Sequence, residues 1–207
     1  MYTLYARAGW GSVLTEAQLA WYGLPYRLEE VGDLFKDEQA VDKLRTINPL
    51  AQLPTLVLPD GQVMTESAAI TLHLAEATGH DDLVPAAPRP QFLRWLVFLV
   101  TNIYPTFTYA DVPARFVLGE EAQEAFEAKV NDYAKRLWQM VEAEAGAPWF
   151  LGARFTALDL YIAVMTKWRP RREWFAENTP RLNAIALATE PNPALAAVWR
   201  RNFSEQG

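Results

Sequence analysis

The stretch from Asn48 to Ser67 constrains the fold more than any other part of the chain. It holds two short apolar runs, Thr55–Leu58 and Gln62–Met64, separated by Pro59-Asp60-Gly61. Two such runs joined by a short turn containing glycine read as a β-hairpin. Pro54 stands immediately before the first run. Proline has no N–H to give to a ladder and belongs at a strand's first residue or on an edge. The Leu53-Pro54 bond can be cis, which would turn the Leu53 N–H and C=O out of the sheet. Thr65-Glu66-Ser67 then precede Ala68-Ala69-Ile70, an N-cap signal before a helical pattern. One compact unit thus offers a free backbone edge at Leu53 and a helix start at Ser67. The unpaired N–H groups and dipole of a helix start favour a carboxylate. Glu66 beside it suits an ammonium group. The ligand expected here carries an amino group, a carboxylate and an extended backbone.

The segments on either side predict how the hairpin is framed. Tyr2–Ala6 reads as a first strand, followed by a loop, Arg7–Ser12, with two glycines. Apolar residues at Val13, Leu14, Ala17, Leu19, Ala20 and Trp21 predict a helix from Val13 to Tyr22, stopped by Gly23-Leu24-Pro25. Tyr26–Val31 reads as a second strand, and strand–helix–strand with short joints is a parallel βαβ unit. The polar stretch Gly32–Ile47 predicts a loop and a short helix, and the helix after the hairpin runs to about Thr78. The order βαβαββα is that of the thioredoxin fold. Pro85, Pro88 and Pro90 mark residues 80–90 as a linker. The expected domains are therefore residues 1–79 and an all-helical 91–207. In the latter, Phe92, Trp95, Leu96, Leu99 and Ile103 recur at helical spacing until Pro105. Phe126, Val130, Tyr133, Leu137 and Met140 form a stripe expected to face a core. Thr156 and Asp159 form a capping box before an apolar helix that should be buried, where no N–H can be left unpaired. Short helices are expected around Pro180–Thr189 and Pro193–Arg200, and the tail Ser204–Gly207 is expected to fray.

Composition excludes several kinds of chemistry. A net charge of −6 over 207 residues argues against generic nucleic-acid binding, which needs a basic surface. Seven Lys or Arg against three Asp or Glu between Lys167 and Arg201 give a local excess of four, read as a solvated helix face. With no cysteine there can be no disulfide, thiolate metal site or cysteine redox chemistry. His73 and His80 are too few for a histidine metal cluster. Met1 leads directly into strand-like sequence, and no apolar run approaches the ~18 residues of a membrane span. A cytoplasmic protein is expected.

The hairpin segment resembles the glutathione-binding segment of glutathione S-transferases, with Leu53-Pro54 and Glu66-Ser67 matching position for position. The resemblance extends from residue 2 to about residue 200, and the Thr156-x-x-Asp159 box is similar to the one opening the buried helix of that family's helical domain. It implies a thioredoxin-like domain, an all-α domain and a homodimer. It implies that the Leu53 backbone pairs with the cysteinyl part of glutathione, the co-substrate, and that Glu66-Ser67 hold its γ-glutamyl end. Gln52 and Lys36 would meet the glycyl carboxylate. The bacterial, beta-like members open strand–Pro-Gly-Ala-Cys-Ser–helix. Here Gly11 stands at the cysteine and Ala8 at the proline, which leaves Ser12 as the catalytic residue of a serine-type enzyme. Its hydroxyl would donate to the glutathione sulfur, so that Ser12→Ala lowers turnover strongly. Alternatively Ser12 is an ordinary N-cap, or Tyr5 takes the role, or backbone N–H groups near Gly11 do. Trp10, Tyr104, Phe107, Phe116 and Trp168 are candidates for the electrophile pocket, with Arg169, Arg171 and Arg172 favouring an anionic substrate. No metal is implied. The expected activity is conjugation of a small hydrophobic electrophile, with peroxide reduction within reach, a detoxification role. The alternatives are a non-catalytic binding or regulatory module and a specialised glutathione-dependent lyase, isomerase or dehalogenase.

Overall fold

The computed structural model describes residues 1–204, so the tail expected to fray lies outside the described residues beyond Ser204. The chain packs as two units. One comprises Met1–Val84 with the residues from Glu190 on, and the other is Pro85–Thr189.

The first unit runs β1 (Tyr2–Ala6), α1 (Ser12–Trp21), β2 (Tyr26–Glu30), α2 (Glu38–Arg45), β3 (Thr55–Val57), β4 (Val63–Met64) and α3 (Ser67–Thr78). The sheet order is β2-β1-β3-β4. β1 pairs parallel with β2 and antiparallel with β3, and β3 pairs antiparallel with β4. Side chains alternate across a strand, so β1 feeds two cores. Tyr2, Leu4 and Ala6 pack with Leu19 of α1, Leu56 of β3 and Ile70 and Leu74 of α3. Tyr5, on the other face, packs against Val31, Leu34 and Leu44. The hairpin turn closes through Leu58 N–H to Gln62 O (2.8 Å) and Gly61 N–H to Leu58 O (2.9 Å). Gly61 there sits at φ +91°, a conformation that suits a residue without a Cβ.

In the second unit α4 (Arg89–Phe98) does not end at Pro105. It passes through a π-helical turn, Leu99–Ile103, into α5 (Tyr104–Asp111). The Tyr104 N–H donates to Leu99 O, five residues back. That wider turn shifts the hydrogen-bond register just before the proline. Pro105 then falls in the first turn of α5, where a missing N–H costs little.

α6 (Glu120–Glu144) corrects the expected stripe. Its buried residues are Val130, Ala134, Leu137, Trp138 and Val141. Tyr133 (44%) and Met140 (54%) are exposed. Two apolar stripes lie side by side on this helix, and spacing does not choose between them. Trp138 does, by packing edge-on to Phe175 at 5.0 Å.

α7 (Ala157–Met165) is buried at every position. Asp159 Oδ1 accepts from Phe150 N–H (2.7 Å), and Oδ2 accepts from Thr156 N–H (2.7 Å) and the Thr156 hydroxyl (3.1 Å). The Thr156 side chain in turn accepts from the first turn of the helix, completing the capping box. Burial pushes the Asp159 carboxyl up to about 6, against the opposing pull of the Phe150 and Thr156 hydrogen bonds. α8 (Arg172–Asn178) and α9 (Pro180–Thr189) follow, with α9 against α7. Among the described residues, no helix is long and apolar enough to cross a membrane.

After a short turn at Pro193–Leu195, α10 (Ala196–Phe203) packs on α1. A single helical domain over 91–207 was expected, yet the chain from Glu190 on groups with residues 1–84. The reason is Glu16 of α1, only 1% exposed. A buried carboxylate needs partners. Asn202 Nδ2 donates to Glu16 Oε2 (3.0 Å), and Arg201 forms an ion pair with Glu16.

Candidate functional site

Strand direction places most of the expected site at one end of one sheet. β1 and β2 run parallel while β3 runs against β1 and β4 against β3. The C-terminal ends of β1, β2 and β4 therefore lie at the same end as the start of β3. The Arg7–Gly11 loop, the loop after Val31 that carries Lys36, the Leu53-Pro54 pair and the Thr65-Glu66 entry to α3 all leave the sheet there.

At the start of β3 the ladder ends with Tyr5 opposite Thr55, so the Leu53 N–H and C=O stand outside it. The Leu53-Pro54 bond is cis. The turn before it is braced from within. Asn48, 3% exposed, donates to Gln52 O (3.0 Å) and Thr55 Oγ1 (3.0 Å), and the Thr55 hydroxyl donates to Gln52 O (2.7 Å). The side chains of Gln52 and Lys36 are exposed.

The helix starts at Ser67 as expected, but neither Thr65 nor Ser67 caps it: Glu66 holds the N-cap position and no side chain caps the helix. Glu66 is exposed, with φ +63° and ψ 104°. A non-glycine residue held there costs on the order of 1–3 kcal/mol, and such strain collects at ligand sites. Ser67 is 8% exposed. The leading N–H groups of α3 have no partner within the helix and leave an anion-binding end beside an exposed carboxylate.

At the first loop the structure sets the Ser12 hydroxyl against the backbone of Arg7. Gly11 is the N-cap of α1 and no side chain caps it, so Ser12 is not an N-cap. Ser12 is 1% exposed. Its hydroxyl donates to Arg7 O (3.2 Å) and accepts from Arg7 N–H (3.2 Å). The one proton this side chain can donate is engaged with the loop backbone. Tyr5 lines a cleft of about 250 Å³ with Glu29, Lys43 and Leu44, on the α2 side of the sheet. That is a packing position.

Arg7, Asp33 and Phe35, which frame Trp10 in this loop system, carried no sequence signal. Arg7 pairs with Asp33 (3.3 Å) and its guanidinium lies 5.3 Å from the Trp10 ring centre. Trp10 stacks on Phe35 at 4.5 Å. These contacts join the loop after β1 to the loop after β2. They link residues some 25 positions apart, beyond what local spacing can reveal.

The electrophile candidates divide. Trp10 belongs to the first unit, as described. In the second, Tyr104, Phe107 and Trp168 form an aromatic triad, with ring centres 5.0–6.2 Å apart. Phe116 is not part of it. It packs on Tyr109 (4.9 Å) and Phe126 (6.0 Å) instead. Of the arginines near Trp168, Arg169 is held by carboxylates. Arg169 pairs with Glu127 (3.0 Å) and with Asp111, and Arg171 and Arg172 donate to the carbonyls of Lys167 and Ala163. Among the described residues no three His, Asp or Glu side chains are grouped to hold a metal.

A mixed four-stranded sheet in this order, followed by a helical unit whose buried α7 starts on a capping box, defines a glutathione S-transferase fold, and the chain belongs to that family. It is 37% identical over 206 residues to the uncharacterized GST-like protein YncG of Escherichia coli K12, covering 98% of each chain. Glutathione S-transferase GstA of Escherichia coli O157:H7 is 28% identical over 171 residues, 80% of this chain and 81% of that one. The family model for the glutathione S-transferase N-terminal domain matches residues 15–77. Among solved structures, a glutathione transferase from Methylococcus capsulatus superposes with a TM-score of 0.69 at 27% identity, over 97% of this chain and 98% of that one. A glutathione transferase homolog from Sulfitobacter with bound glutathione reaches a TM-score of 0.83 at 24% identity, over 96% of each chain, a likeness of fold.

Proposed function

We propose that the protein is a glutathione transferase that ionises the thiol of glutathione for attack on a small hydrophobic electrophile. The observation that carries this is the meeting, at one sheet end, of an unladdered Leu53 backbone, a strained Glu66 before buried Ser67, and the start of α1. The γ-glutamyl amino group would pair with Glu66 and its carboxylate with the first turn of α3. The cysteinyl backbone would extend the sheet at Leu53, with Gln52 and Lys36 toward the glycyl end. That arrangement directs the thiol toward α1. A free thiol has a pKa near ~8.5 and is mostly protonated at neutral pH. A helix N-terminus stabilises the anion and raises the thiolate fraction. The proton leaves to solvent, and the sulfur lone pair forms the new bond to the electrophile, whose leaving group departs with its electron pair in a substitution or whose π pair takes up a solvent proton in an addition.

Ser12 remains the catalytic residue in this proposal, but through its backbone N–H at the start of α1, with its hydroxyl holding Arg7. Ser12→Ala is then expected to cost about 1 kcal/mol of stability, because it removes the partner of the part-buried Arg7 N–H, while turnover falls less than about tenfold. Steady-state kinetics beside a urea melt will separate the two effects. A loss beyond about a hundredfold in a folded variant would return the role to the hydroxyl. The subclass proposed is beta-like, with Gly11 at the cysteine position. The aromatic triad Tyr104, Phe107 and Trp168 of the second unit is proposed to bind the hydrophobic electrophile.

Retention on immobilised glutathione, followed by turnover of a generic aromatic electrophile, tests the function. Retention without turnover would favour a non-catalytic binding module. The engaged hydroxyl of Ser12 is the observation on that side. Homodimerisation in the cytoplasm is part of the proposal. Exposed Tyr133 and Met140, one heptad apart on α6, together with exposed Val97 of α4, offer an apolar surface for it. Light scattering should report twice the 23.4 kDa chain mass, and Met140→Glu should lower it.

A further inference from the structure

We propose that Asn202, near the C-terminal end of α10, is a positioning residue for the thiol site, acting through the backbone of Gly9. This rests on the glutathione-transferase reading and deepens it. Asn202 is 7% exposed and uses both ends of its amide. Oδ1 accepts the Gly9 N–H (3.1 Å), while Nδ2 donates to Glu16 Oε2 (3.0 Å) and Val198 O (2.9 Å). Glu16 is fixed in turn by Arg201 and by the Tyr26 hydroxyl (3.3 Å). One side chain thus ties the loop before α1 to a buried carboxylate within α1, across 193 positions of sequence. Gly9 adopts φ +75°, so the loop turns in a conformation that side-chain-bearing residues rarely hold. The Ser12–Arg7 hydrogen bonds close the loop at its base, and Asn202 holds its turn. Loop shape decides where the N–H groups at the start of α1 stand relative to a thiol. The glutamyl and cysteinyl contacts at Glu66, Ser67 and Leu53 do not pass through Gly9. Loss of Asn202 should therefore misplace the donors without releasing the tripeptide.

The test uses the full chain. In Asn202→Ala, kcat is expected to fall about tenfold while KM for glutathione stays within about twofold. In the unliganded protein, amide hydrogen exchange should rise in the peptide spanning Arg7 to Ser12 and not in the one spanning Thr55 to Ser67. A donor–acceptor exchange supplies the rescue. Asn202→Asp alone sets two carboxylates together. Combined with Glu16→Gln, the glutamine amide donates to the introduced carboxylate, whose other oxygen still accepts the Gly9 N–H; the bond to Val198 O is lost in both variants, so exchange protection and kcat should return part of the way toward wild type. Unchanged exchange in Asn202→Ala, or equal failure of the single and double exchange variants, overturns the proposal. Wild-type protein that neither binds nor turns over glutathione would remove the functional reading. The exchange measurement would still decide whether Asn202 holds the loop.

Discussion

Replacing Asp159 with alanine is expected to lower unfolding stability by about 3 kcal/mol or more. The carboxylate is fully buried and accepts from the Phe150 and Thr156 amides at 2.7 Å each. Its removal leaves two buried N–H groups unpaired, each costing about 1–3 kcal/mol. The whole margin of a domain is about 5–15 kcal/mol. Asp159→Asn keeps an acceptor for Phe150 but turns an NH2 toward the Thr156 N–H, so it should cost less than alanine. Urea midpoints will rank the two. An alanine variant within about 0.5 kcal/mol of wild type would sink this account. The same carboxyl gives a pH signature. Its folded-state value of about 6 lies above the ordinary carboxylate value, so the native state binds the proton more tightly than the unfolded chain. The resulting stabilisation is complete below the unfolded value and is lost as pH rises through about 6. The stability difference between wild type and Asp159→Asn should therefore shift in favour of wild type on acidification from neutral pH toward pH 4.

The second large effect concerns Glu66. Glu66→Ala should weaken glutathione binding roughly ten- to hundredfold, the equivalent of one charge-assisted hydrogen bond of about 1.5–3 kcal/mol. Glu66 is exposed, so the melting transition should hardly move. Its φ of +63° offers a control. Glu66→Gly removes the same carboxylate while relieving the backbone. Equal affinity losses in the two variants, read by calorimetry, would assign the effect to the side chain. Unchanged affinity in both would remove Glu66 from the glutathione site.

Features set by neighbours in sequence were legible without coordinates. The β1–α1–β2 unit, the hairpin around Gly61 and the Thr156–Asp159 box each follow from residues within a few positions of one another. Misreadings arose where two local solutions were equally good. Spacing did not choose between Tyr133 with Met140 and Ala134 with Trp138, and it did not distinguish a helix ending at Pro105 from a π turn that admits the proline. The helix start at Ser67 was legible, but the side-chain cap that Thr65 or Ser67 signalled is absent, and Glu66 holds the N-cap position.

The sequence by itself determined the elements, their order and the sheet end at which Leu53, Glu66 and the start of α1 meet. Strand pairing direction and turn chemistry are encoded locally. Only the tertiary structure decided which atoms of that site are available. The Ser12 hydroxyl is turned to Arg7, Phe116 is drawn away to Tyr109, and α10 returns to supply Asn202 to Gly9. A buried hydroxyl, ring or carboxylate takes whichever partner the folded chain brings near. Residues as distant as Gly9 and Asn202 find each other only when burying Glu16 requires it.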